Sequence, residues 1–86
     1  MSYFVYFLLC SDGSYYCGYT KDLDKRLKKH NEGSASKYTR ARLPVKLIYS
    51  EPQSTQLSAM RRELALKKLS RKRKEELILS MTKSHI

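Results

Sequence analysis

The chain predicts an α+β fold in the order strand, strand, helix, strand, helix, helix. Three observations carry that prediction. An unbroken apolar run at Tyr3–Cys10 is followed by turn chemistry and a second, tyrosine-rich run. Two later stretches hold leucines at helical spacing behind residues that cap helices. Between them a short apolar segment is bracketed by Pro44 and Pro52. At 86 residues the chain is expected to make one domain, residues 1–81, with 82–86 as a frayed tail. A domain of that size buries about 60–65% of its unfolded surface, enough for one modest core.

YFVYFLLC, Tyr3 to Cys10, has no polar face, as in a strand covered on both sides. Ser11-Asp12-Gly13 supplies the turn, and Tyr15 to Tyr19 forms the return strand. The loop length sets which side chains share a face. With a three-residue loop and Gly13 in the left-handed region, Cys10 pairs with Ser14 and Tyr6 lies opposite Gly18. Tyr16 then stands diagonally beside Tyr6 on the same face, roughly 7–8 Å away. A two-residue Asp-Gly turn instead sends the two tyrosines to opposite faces. The longer loop is preferred, although periodicity alone does not choose. Gly18 is itself a signal, because glycine weakens a strand and often marks a close approach.

Thr20 is expected to cap a helix over Lys21–Asn31, with Asp22 and Asp24 in its first turn and Gly33 past its end. Leu23 and Leu27 form its buried stripe. Arg26 and His30, four apart, are neighbours on one flank. Gly33 to Arg42 is basic and small, hence a loop. Val45–Ser50 is the third strand, ended by Pro52. Ser54 is expected to cap a helix over Thr55–Leu69 with Leu57, Met60 and Leu64 as core face and Glu63 at the margin. Ser70 caps a last helix, Arg71–Met81, packing back through Leu77, Ile78 and Met81.

Eighteen Lys and Arg against eight Asp and Glu give a formal charge of +10. Polyanions are the usual partner of such an excess. No apolar run approaches the roughly 20 residues that span a bilayer, and no signal peptide is recognisable, so no membrane role is expected. Cys10 and Cys17 lack metal-ligand spacing and read as reduced packing residues of a cytoplasmic protein.

Five residues offer phosphodiester chemistry: Tyr6, Tyr16, Arg26, His30 and Glu63. Arg26 has the forked donors that grip a phosphate. His30 can relay a proton. Glu63 is a hard oxygen ligand suited to magnesium, which needs only one or two protein carboxylates. A phenol is a weak base with a pKa of about 10, but nearby cations favour the phenolate. Taken singly, each residue has a plainer role: strand packing for the tyrosines, a solvated charge for Arg26, a helix-dipole partner for His30, a surface ion pair for Glu63. Only their joint arrangement points to catalysis.

That arrangement resembles the GIY-YIG nuclease family. Phe4-Val5-Tyr6 and Tyr16-Cys17-Gly18 stand where its two signature triplets stand. Arg26 follows the second tyrosine by ten positions, His30 comes one turn later, and Glu63 sits on the next long helix. The stretch HNEGSASKYTRARLP, His30 to Pro44, resembles the HN-G---KYTR--P loop of small stand-alone members. The resemblance covers roughly Ser2 to Leu69. It implies a three-stranded antiparallel sheet flanked by helices, with a shallow active site on one side. It further implies that Glu63 holds one divalent metal, Mg2+ or Mn2+, and that Arg26 clamps the phosphate. Tyr6 would act as base and Tyr16 orient water or phosphate, with the two roles left interchangeable because members differ. His30 would assist protonation or contact phosphate, and Gly18 would be bare so that Tyr6 or the backbone meets substrate. Two family features are missing: an asparagine about a dozen residues past the glutamate, where KRKEEL stands, and a lysine after the motif glycine, where Tyr19 stands.

Lys37, Arg40 and Arg42, with Lys25, Lys28 and Lys29, are expected to track a nucleic-acid backbone, and Tyr38 to stack on a base or pack under its loop. The expected partner is nucleic acid, DNA foremost with RNA left open, bound with weak sequence preference. Family members normally carry a separate targeting domain, so selectivity here would come from this surface or a protein partner. Two functions follow: a metal-dependent endonuclease, for structured or damaged substrates among others, or a non-catalytic nucleic-acid-binding module that keeps the fold.

Overall fold

A computed structural model describes residues 2–83. Its elements are β1 (Tyr3–Leu9), β2 (Tyr15–Thr20), α1 (Leu23–Asn31), α2 (Lys37–Arg40), β3 (Lys46–Gln53), α3 (Gln56–Lys67) and α4 (Arg71–Lys83). The strands form one antiparallel sheet in the order β2-β1-β3. The all-apolar first run is thus the central strand, as expected of a strand covered on both faces. Val5 and Phe7 pack with Cys17, Tyr49, Ala59 and Leu66 beneath α3, joined by Leu77 and Ile78 of α4. Tyr6, Leu8 and Cys10 face the other way, towards Val45 and the half-buried Leu23 and Leu27 of α1.

The hairpin takes the three-residue loop. Gly13 sits at φ +84, its N–H donates to the Cys10 carbonyl at 3.0 Å, and the Cys10 N–H donates to the Ser14 carbonyl at 2.9 Å. A β-carbon is disfavoured at that φ, which is why glycine closes the turn. Tyr6 consequently pairs with Gly18.

Several boundaries move from their expected places. Thr20 stays in β2, paired with Phe4, and Asp22 caps α1 by accepting from the Lys25 N–H at 3.1 Å. A carboxylate suits the positive end of the helix better than a hydroxyl. The expected loop at 33–42 contains α2, capped by Ser36. Pro52 does not end β3 but pairs with Phe4 within it. The ladder tolerates it because β3 is an edge strand, with one side of its backbone unpaired. Thr55, not Ser54, caps α3 through a capping box with Ser58. Ser70 caps α4 as expected, accepting from the Arg73 N–H at 3.2 Å. Thr82 and Lys83 continue that helix instead of fraying. The rest of the expected tail, 84–86, and the side chain of Met81 lie outside the described residues.

The largest correction concerns α3. Leu57, Met60 and Leu64, expected in the core, are 55%, 43% and 58% exposed. The face turned to the sheet carries Ala59, Arg62, Glu63 and Leu66 instead. Two features hold it there. Ala59, fully buried, lets the helix backbone approach the sheet closely. Arg62 donates from Nε to both oxygens of Glu51 on β3, at 3.1 and 3.0 Å, and Tyr49 and Gln53 bond the same carboxylate. That partly buried carboxylate needs its cation, and leucines at 57 and 64 cannot supply one.

Candidate active site

The site lies along β2, the edge strand between α1 and α3. Tyr6 and Tyr16 belong to the α1 face of the sheet, whereas α3 lies on the opposite face. Gly18 joins the two sides. Directly opposed residues share a face. The Tyr6 ring lies across Gly18, so that a β-carbon there would stand 2.6 Å from the phenol oxygen and 2.9 Å from Cζ. The missing side chain is the space in which Tyr6 crosses β2 to the sheet edge. This agrees with the expectation that Gly18 must be bare, and gives the reason as room for a phenol rather than for a bound molecule.

At that edge a cleft of about 360 Å³ opens, lined from one side by Tyr6, Tyr16, Gly18 and Arg26 and from the other by Gln56 and Glu63, with Tyr3, Tyr19, Thr20 and Lys21 completing it. Of the five expected catalytic residues, the fold brings Tyr6, Tyr16, Arg26 and Glu63 to one cavity. His30 is the exception. It is fully buried and stands behind Tyr6, with Nε2 2.9 Å from the phenol oxygen. Its contact is therefore with the phenol, and a direct phosphate contact is ruled out by burial. On the far side, His30 Nδ1 lies 2.8 Å from the Thr39 hydroxyl. Sequence reasoning missed Thr39, and the only trace of it was its place in the KYTR stretch.

Burial pushes the Tyr6 phenol well above the ordinary phenol range, and the neighbouring Tyr16 adds to the rise. Arg26 opposes both and Glu63 reinforces them. The expectation that cations would favour the phenolate is thus corrected: loss of hydration outweighs one guanidinium at a site only 2% exposed. Burial, then the charge of Arg26, hold the His30 imidazole below its ordinary range, so it is neutral at pH 7. Tyr16 packs edge-on against His30 at 5.1 Å and stacks with Tyr38 at 6.1 Å.

The expected backbone-tracking residues lie outside this cleft. Lys37 and Arg40 are exposed on α2. Tyr38 borders a neighbouring groove of about 280 Å³ with Tyr15, Tyr16, Cys17, Lys67 and Lys74. Arg42 is already engaged: its Nε donates to Asp12 at 2.9 Å, its Nη1 donates to the Tyr38 carbonyl, and its guanidinium lies 3.9 Å over the Tyr38 ring. Lys21 and Gln56 line the cleft, and sequence reasoning had not singled them out.

Residues 2–76 match the family model of the GIY-YIG catalytic domain. The chain belongs to the GIY-YIG family. It is 58% identical over 77 residues to a UPF0213 protein of Bacillus licheniformis, a match covering 90% of this chain and 79% of that one. Against the UPF0213 protein YazA of Bacillus subtilis the identity is 51% over 74 residues, covering 86% and 75%. A solution NMR structure of a protein from E. faecalis is similar with a TM-score of 0.64 at 43% identity, over 95% of this chain and 88% of that one. That of a UPF0213 protein from Bacillus halodurans gives 0.58 at 47% identity, over 91% and 83%. Membership in the GIY-YIG family implies a nuclease-type function, directed at nucleic acid. No helix among the described residues is long and apolar enough to cross a membrane.

The GIY-YIG cleft can be tested for its fit to a divalent metal. Among the described residues no three His, Cys, Asp or Glu side chains cluster into a cage. Glu63 is the only carboxylate among the described residues that lines the cleft, mostly shielded from solvent, with Lys67 as a distant partner at 3.8 Å. One hard oxygen facing an open, polar cavity fits magnesium or manganese, which keep most of their waters, and does not fit a metal needing an all-protein shell.

Proposed function

We propose that the chain is a divalent-metal-dependent endonuclease that hydrolyses phosphodiester bonds of nucleic acid, DNA foremost, with little sequence preference. The observation that supports this best is the meeting of Tyr6, Tyr16, Arg26 and Glu63 in one cleft, from elements on both faces of the sheet. A binding module has no need of a half-buried carboxylate among its cations, where it would repel phosphate. Glu63 would hold Mg2+ or Mn2+, which supplies Lewis acidity at the phosphate oxygens.

The remaining chemistry belongs to the chain itself. Arg26 and Lys21 face the cavity and neutralise the phosphate, with Arg26 supplying paired donors. Tyr16 orients the attacking water. Because Tyr6 rests as a phenol, it acts as a relay. Its oxygen takes a proton from the water while its own proton passes to His30 Nε2, 2.9 Å away. The water oxygen forms the new bond to phosphorus, the opposite phosphorus–oxygen bond breaks, and the departing oxygen takes a proton from solvent. Tyr38 and the lysine-edged groove beside Tyr16 would receive a base flanking the cleaved phosphate.

The experiment is a panel of nicked, branched, single- and double-stranded DNA and RNA incubated with magnesium or manganese, comparing wild type with Glu63→Ala. Cleavage that needs the metal and disappears in the variant is the expected result. Equal traces with both proteins, or none with either, would overturn the nuclease reading.

A further inference from the structure

The short helix α2 bears its charged and aromatic residues outwards but turns Thr39 inwards, where it is fully buried. The hydroxyl has three neighbours: His30 Nδ1 at 2.8 Å, Ser36 Oγ at 2.9 Å and the Ser36 carbonyl at 3.4 Å. Ser36 Oγ in turn accepts from the Thr39 N–H at 3.1 Å.

Proton counting decides the direction of this chain. The Thr39 hydroxyl donates to the Ser36 carbonyl, an acceptor with two lone pairs that also takes the Arg40 N–H at 3.1 Å. The Ser36 hydroxyl proton then goes to Thr39 Oγ1, whose remaining lone pair takes Nδ1–H of His30. A neutral imidazole carries one proton, so Nε2 is left as an acceptor, and it receives the Tyr6 hydroxyl proton. Every buried donor then has a partner. In the reverse assignment Thr39 donates to Nδ1 and Nε2–H donates to Tyr6. The Ser36 carbonyl would still accept from the Arg40 N–H at 3.1 Å, but the Tyr6 hydroxyl proton would have no protein acceptor among the described residues. Buried donors without partners are costly, so the first direction prevails.

We infer that Thr39, held by Ser36, is a positioning residue that fixes His30 in its Nδ1–H tautomer and so makes Nε2 the acceptor of the Tyr6 proton. The consequence for turnover rests on the nuclease function proposed above; the tautomer does not. Thr39 touches neither substrate nor the reacting atoms. It acts through His30, as the outer partner of a ligating or catalytic histidine commonly does. The loop between α1 and β3 thereby gains a role beyond carrying cations.

The test reads the His30 tautomer directly, by long-range proton–nitrogen correlation NMR on the full chain above pH 7. Wild type is expected to show the proton on Nδ1, and Thr39→Val to lose that preference. In turnover, Thr39→Val is expected to lower kcat by about 10–100-fold with KM unchanged, while Thr39→Ser restores it. A wild-type proton on Nε2 would overturn the inference without recourse to any variant. So would a folded Thr39→Val that keeps both Nδ1–H and full kcat, or a Thr39→Ser as impaired as Thr39→Val. Because the spectrum is independent of cleavage, a chain that shows the expected tautomers but cuts no substrate refutes the nuclease proposal alone.

Discussion

The phenol of Tyr6 occupies the place where a side chain at Gly18 would be. A β-carbon at that position would meet the Tyr6 oxygen at 2.6 Å and Tyr16 Cε2 at 3.2 Å. Tyr6 cannot swing aside freely, because it is buried and its oxygen is bonded to His30. Gly18→Ala is therefore expected to displace the phenol and break that bond. The stability cost should be about 1–3 kcal/mol, typical of overpacking. Cleavage should fall by about 10²–10⁴, the usual contribution of a positioned proton-transfer group. Urea unfolding together with an initial-rate assay checks both. An alanine variant with unaltered rate and a native fold would show that the glycine serves something else.

The state of His30 gives a pH dependence whose sign can be worked out. Its folded pKa lies below the unfolded value of about 6.5. Between those two values the unfolded chain binds a proton that the folded chain does not, so stability falls as pH drops through 6.5 towards the folded pKa, and levels off below it. Above 6.5 this contribution is fully present. The groups facing the ring are Tyr6, Tyr16, Thr39 and Arg26. In His30→Gln the dependence should flatten by the same amount. Denaturation midpoints at steps between pH 5 and 7.5 measure the difference, in which any contribution from His85 cancels.

Arg42 and Arg40 look alike in the sequence and differ in the fold. Arg42 is paired with Asp12 at 2.9 Å and lies on Tyr38, whereas Lys37 and Arg40 present their charges to solvent. With about six phosphates neutralised, the slope of log K against log salt on duplex DNA should be about −5. Lys37→Ala and Arg40→Ala should each make it shallower by about 1, and Arg42→Ala by clearly less. Fluorescence anisotropy over a salt series decides this. A wild-type slope near zero would remove nucleic acid from the account.

The outward turn of α3 has its own test. Leu64→Gln replaces an exposed side chain and should shift stability by no more than about 0.5 kcal/mol. Ala59→Leu forces three further carbons between the helix and the sheet and should cost about 1–3 kcal/mol. The opposite ranking in thermal or chemical unfolding would mean that the leucine stripe faces the core after all.

Much of the fold was legible from local chemistry. The hairpin register followed from one decision about Gly13, and the Tyr6–Gly18 pairing followed from the register. Caps were legible only to within one or two residues, because Thr20, Asp22, Ser54 and Thr55 are all competent caps and the sheet ladder decides which of them is free. The spacing of Tyr6, Tyr16, Arg26, His30 and Glu63 was legible as a set. Thr39 and Lys21 were not, since Thr39 is marked only as one letter of the KYTR stretch and Lys21 lies at no periodic or motif position.

Local patterning could settle that the first strand is covered on both faces, where the turn falls and which hairpin residues share a sheet face, because those depend on neighbours a few positions away. It could not settle which face of α3 meets the sheet. That outcome depends on a long-range pairing of Arg62 with Glu51 and on the close approach allowed by Ala59, and it overrode the more hydrophobic stripe. The same rotation carries Glu63 to the cleft, and burial behind Tyr6 gives His30 a hydrogen bond to the phenol instead of a place at the surface. Proximity between distant segments and loss of hydration exist only once the chain has folded, and in this protein they decide the chemistry.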